Sequence, residues 1–89
     1  MATINIIRQL ILYGAYYFTQ HALEELDKDA LDEFDAETAI LYGKIRRSWP
    51  REHKYEIIGP SNDDRVVGVV CRITQTNKLR IITSYEDKK

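Results

Sequence analysis

His21, Arg72 and Tyr85 are the side chains of this sequence best suited to chemistry. Cleaving RNA without a metal needs a base for the 2′-hydroxyl, an acid for the leaving oxygen and a cation for the charge that builds on phosphorus. Imidazole exchanges protons near neutral pH, which makes His21 the candidate base, in the stretch "YYFTQHALEEL" over residues 16–26. Arg72 can neutralise a phosphate, and the Tyr85 phenol can donate a hydrogen bond. Arg46, Arg47, Arg65 and Arg80 are the candidate substrate-binding cations. Strand alternation puts Arg46 and Arg47 on opposite sides, so only one of the two is expected to share a face with the rest.

Each of these residues also has a plainer role. His21 can be a helix-start residue bonded to a backbone carbonyl. His53, between Glu52 and Lys54, reads as a solvated residue at a strand start. Tyr85 reads as a half-buried strand aromatic and Trp49 as a core or interface anchor. The acidic run Glu24, Glu25, Asp27 and Asp29 reads as a wet helix face. It lacks an H-E-x-x-H spacing, and neither a metal nor a cofactor is expected. "GPSNDD" holds one glycine and reads as a turn, not a phosphate loop.

The elements that must position these groups follow from periodicity. Ile4, Ile7, Leu10 and Ile11 recur at helical spacing behind Thr3, which predicts an amphipathic helix over residues 1–14 ending at Gly14. "YYFT" favours a short strand, and Thr19 is placed to cap a second helix with Leu23, Leu26 and Ala30 on one face. Asp35 is the expected cap of a third helix, with Ala36, Ala39 and Ile40 inside and Gly43 at its end. From Lys44 the period changes to two. "KIRRSW", "KYEII", "RVVGVVCRIT" and "LRIITSYE" read as four successive strands, the last with Leu79, Ile81, Thr83 and Tyr85 on one face. Helices grouped before strands predict an α+β domain. Its N-terminal helices should pack on one face of a small antiparallel sheet, in the order helix, strand, helix, helix and then a four-strand meander. The frayed end is expected at "DKK".

At 89 residues the chain is one domain, and 44% apolar residues are enough for one core. The single cysteine, Cys71, lies in an apolar run and fits a reducing, cytoplasmic setting. No apolar run is long enough to span a membrane, and the N-terminal segment lacks the basic lead and cleavage site of a signal peptide. The net charge of −1 hides an asymmetry. Residues 1–37 hold two basic against eight acidic side chains, whereas residues 38–81 hold nine against four. Two halves that attract each other explain this, as does a basic sheet face that meets phosphate or an acidic partner.

"FTQHALEEL", "FDAETAILYGKI", "KYEIIGPS", "RVVGVVCRIT" and "LRIITSYE" together resemble the bacterial family called domain of unknown function 4258. The shared features are the His21–Ala22 pair, the helix from Asp35 to Gly43 and the closing Ile81-Ile82-Thr83-Ser84-Tyr85. The resemblance covers residues 16 to 86 and leaves the first helix outside. Relatives commonly carry an arginine soon after the His-Ala pair, and this chain has Glu25 there. The family is similar in layout to small toxins of RelE and BrnT type, which implies RNA binding or RNA cleavage and a partner antitoxin protein. A second reading is a non-catalytic interaction module that pairs through a sheet edge or docks a second copy along the first helix as a homodimer. That reading expects Ile4, Ile7, Leu10 and Ile11 to be exposed in the monomer.

Overall fold

The computed structural model describes residues 3–88, so the first two positions of the 1–14 segment and the last of the "DKK" tail lie outside the described residues. Helix α1 (Thr3–Leu12) is followed by strand β1 (Tyr16–Phe18), α2 (Gln20–Lys28), α3 (Glu33–Tyr42) and the strands β2 (Lys44–Trp49), β3 (Lys54–Pro60), β4 (Val66–Ile73) and β5 (Leu79–Glu86). A 3-10 turn, Pro50–Glu52, joins β2 to β3. None of the helices is long and apolar enough to cross a membrane.

Local chemistry sets the helix ends. The Thr19 hydroxyl accepts from the Ala22 N–H at 3.1 Å and donates to the Ile82 carbonyl at 3.0 Å, so one side chain caps α2 and ties it to β5. The expected cap of α3 moves by one turn. Asp32 is the N-cap, and Asp35 is its partner in a capping box, each carboxylate accepting from the other's N–H at 2.9 and 3.0 Å. Asp35 has a second task, accepting from the Asn62 N–H at 3.0 Å, and this pins the β3–β4 loop to the start of α3.

The α+β arrangement is as expected, with one addition. The sheet order is β1-β5-β4-β3-β2, and β1 joins parallel to β5, which makes a mixed five-stranded sheet rather than a purely antiparallel one. Beyond Ile81 the outer side of β5 is lined by α2 instead of a strand. The Thr19 N–H donates to the Ile81 carbonyl at 2.9 Å, and the Asp29 carboxylate accepts from the Glu86 N–H at 2.8 Å. A helix therefore satisfies an edge that would otherwise be open to pairing.

All three helices feed one core with the inward face of the sheet. Ile7, Ala22, Ala36, Ala39 and Ile40 meet Ile57, Val67, Val69, Cys71, Leu79 and Ile81. A fully buried isoleucine such as Ile7 contributes about 1.5–3 kcal/mol. A Cβ on Gly59 would run into the backbone of Ala39, so a side chain there would push α3 off β3. The α1 stripe is not left for a partner. Ile7 and Ile11 are buried, and Ile4 and Leu10 pack against the same core. The expected exposure of that stripe in the monomer is therefore corrected: Ile7 and Ile11 serve the chain's own core, and Ile4 and Leu10 are half-buried against it.

Two bulges change which residues share a face. In β5, Val70 pairs with Thr83 while its neighbour Cys71 pairs with Ile81, which leaves Ile82 as the extra residue. Leu79, Ile81 and Ser84 turn inward. Thr83 and Tyr85, expected beside Leu79 and Ile81, join Arg80 on the outer face. In β2, Ile45 pairs with Ile57 and Arg47 with Glu56, which leaves Arg46 as the extra residue. Arg46 and Arg47, expected on opposite sides, both reach Glu56.

Candidate nucleic-acid interface

Among the described residues the helices pack on the inner face of the sheet and leave its outer face uncovered. The strand registers put one continuous row across it: Tyr17 opposite Arg80, Arg80 opposite Arg72, Arg72 opposite Lys54, and Lys54 opposite Trp49. Directly paired residues project to the same side, so all five strands contribute to this row. The Lys54 ammonium lies 4.8 Å from the centre of the Trp49 ring. Arg72, Arg80 and Tyr17 are exposed.

Tyr17, Arg72 and Arg80 also line a cleft of about 750 Å³ at the end of the sheet, with Ile6, His53 and the β4–β5 turn at residues 74–77. Among the described residues, neither Arg72 nor Arg80 forms an ion pair. Unneutralised guanidinium groups beside aromatic faces suit a phosphate backbone with stacked bases.

The other candidate cations are engaged within the chain. Arg46 donates to Glu56 and Asp87, each at 3.1 Å, and to the Tyr85 hydroxyl at 2.8 Å. Its hydrogen bonds to these two carboxylates raise its pKa further, so it stays charged. Arg47 sits 3.5 Å from Glu56 but is largely exposed, and that pair contributes little. Arg65 is a structural clamp. It donates to Asp63 at 3.0 Å, to Glu86 at 3.2 Å and to the carbonyls of Asp29 and Ala30 at 2.8 Å. The Arg65 guanidinium, with help from the Ser61 hydroxyl, holds Asp63 down to about 2.

Tyr85 belongs to a second cluster on the same face. Its hydroxyl donates to Glu56, and its ring covers Gly68 on β4. Burial and that hydrogen bond push the phenol up to about 12, which keeps it protonated and makes it a poor acid. Burial alone would raise the Glu56 carboxyl. Hydrogen bonds from Tyr85 and Arg46, and the charges of Arg46 and Arg47, outweigh it and hold Glu56 below the usual carboxylate range. Sequence reasoning missed Glu56. The available signal was one acid at an outward position of the otherwise apolar "YEIIG".

His21 is not brought to this face. It lies exposed in the first turn of α2, at the sheet edge, outside the cleft. Of the three side chains singled out for chemistry, Arg72 and Tyr85 share the outer face but stand in separate clusters four register positions apart, and His21 joins neither.

The crystal structure of the Brucella abortus ribonuclease toxin BrnT is similar to this fold, with a TM-score of 0.61, 17% identity, and coverage of 83% of this chain and 96% of that one. At that identity the likeness establishes the fold alone. No curated protein matches the sequence. Residues 18–86 match the family described as domain of unknown function 4258, and the chain belongs to that family.

Proposed function

We propose that the protein is a toxin-type RNA-binding protein that holds single-stranded RNA across the outer face of its sheet. The observation that carries this reading is the row Tyr17, Arg80, Arg72, Lys54 and Trp49. It has aromatics at both ends and two arginines without an ion pair among the described residues. Five strands about 4.8 Å apart make the row roughly 19 Å long, room for a short run of nucleotides. The fold shared with a ribonuclease toxin supports the same reading, as does the excess of basic residues in the strand half of the chain. A protein that silenced such a toxin would have to cover this face, and acidic side chains would suit it, which is the chemistry expected of a partner antitoxin.

Binding of a fluorescent single-stranded RNA to the wild type and to an Arg72→Ala/Arg80→Ala variant tests the proposal. Loss of two charge-assisted contacts should weaken binding by at least about tenfold, with folding intact because both side chains are exposed. Equal affinity for the two proteins, or no binding by the wild type, would sink it.

A further inference from the structure

The cleft holds an imidazole, and it is not that of His21. His53 follows the 3-10 turn with its backbone left-handed, at φ 52° and ψ 35°, and lines the cleft with Arg72, Arg80 and Tyr17. We propose that His53 is the catalytic base of this cleft, taking the proton from a ribose 2′-hydroxyl while Arg72 and Arg80 hold the adjoining phosphate. The inference rests on the RNA-binding reading and deepens it to cleavage.

Three observations support the assignment. The fold does not need an imidazole at this position. The His53 N–H donates to the Pro50 carbonyl at 3.1 Å, and its carbonyl accepts from the Ile73 N–H at 2.9 Å, so only its backbone is used. Histidine is one of the side chains that accept a left-handed backbone, and among the described residues the His53 ring makes no hydrogen bond, so the imidazole is left free toward the cleft. The Ile73 bond also fixes His53 against the residue that follows Arg72, and Lys54, the residue after His53, is the register partner of Arg72. The imidazole and both unpaired guanidinium groups are therefore anchored to three adjacent, hydrogen-bonded strands. Finally, among the described residues no carboxylate lines the cleft to compete for the arginines.

The step balances without a further reactant. The 2′-oxygen gives its proton to His53 and bonds to phosphorus as the bond from phosphorus to the 5′-oxygen breaks. The leaving 5′-oxygen takes a proton from solvent, and His53 later returns its own to solvent. The products are a 2′,3′-cyclic phosphate and a 5′-hydroxyl.

The experiment follows a single-stranded RNA oligonucleotide, and the same oligonucleotide made with 2′-deoxyribose, through both binding and cleavage. It uses the wild type, His53→Asn and His21→Asn. Asparagine accepts the left-handed backbone, so His53→Asn should fold and bind RNA as the wild type does while cutting at least about a hundredfold more slowly. His21→Asn should cut like the wild type, the deoxy strand should stay whole, and the RNA product should end in a cyclic phosphate. Cleavage by His53→Asn at the wild-type rate overturns the assignment, as does a wild type that binds RNA without cutting it. Both of those outcomes leave the RNA-binding reading standing. A wild type that neither binds nor cuts removes both.

Discussion

The Tyr85 hydroxyl donates to the Glu56 carboxylate across the width of β4, and the Tyr85 ring fills the space that Gly68 leaves open. One side chain on the last strand thus fixes a buried charge on β3 and covers the one outward position of β4 that has no side chain.

This coupling predicts a pH-dependent stability gap between the wild type and Tyr85→Phe. Glu56 has a depressed folded pKa, so its contribution is present above its usual value of about 4.5 and is lost as pH falls through the folded value. The Tyr85 phenol is raised from 10 to about 12, so its contribution is present below pH 10 and is lost as pH rises towards 12. The gap should therefore be widest between those limits, at about 1.5–3 kcal/mol for a hydrogen bond to a charged group, and should narrow on both sides. Urea titrations across the pH range measure it, and a gap that does not change with pH would contradict the assignment.

Gly68→Ala should destabilise the protein by about 1–3 kcal/mol, because the new methyl meets the Tyr85 ring. Combined with Tyr85→Ala the same substitution should cost much less, since the ring it strikes has gone. A double-mutant cycle reads this coupling directly. Additive losses would mean that the ring and the glycine are independent.

The helices and the strand order were legible in the sequence because periodicity and caps are local. Thr19 caps α2 as its position implied, and Gly14 takes a positive φ of 72° at the end of α1. Asp35 was one turn off because Asp32 and Asp35 are the two halves of one capping box and either reads as a cap. The faces of β2 and β5 were not legible. Each holds one bulged residue, Arg46 and Ile82, and a bulge shifts the phase of every side chain beyond it without a glycine or proline to mark it. The candidate site suffered most from this. Tyr85 and Thr83 changed faces, and the pairing of Arg46 with Glu56 depends on contacts between residues ten apart. Imidazole chemistry makes His21 the natural candidate base in the sequence, yet its neighbours in space are set by how α2 lines the edge of β5.

Arg65→Lys separates structural from binding arginines. Lysine keeps the charge but lacks the planar fork that bonds Asp63, Glu86 and two carbonyls of the α2–α3 connection at once. The urea midpoint should fall while RNA affinity at a temperature well below unfolding stays at the wild-type level. A loss of affinity with an unchanged midpoint would return Arg65 to the binding surface.

Salt dependence distinguishes the unpaired arginines from the paired ones. Each cation that neutralises a phosphate of a single strand adds about 0.7 to the slope of log affinity against log salt. Arg72 and Arg80 have no carboxylate partner among the described residues, so on the proposed reading their charges are free to meet RNA phosphates. Arg72→Ala/Arg80→Ala should flatten the slope by about 1.4. Arg46 already shares Glu56 and Asp87, so Arg46→Ala should lower the urea midpoint and leave the slope nearly as it was. Anisotropy titrations of the same RNA at several salt concentrations measure all three slopes. A larger drop for Arg46→Ala than for the double variant would move the binding surface from the transverse row to the Glu56 cluster.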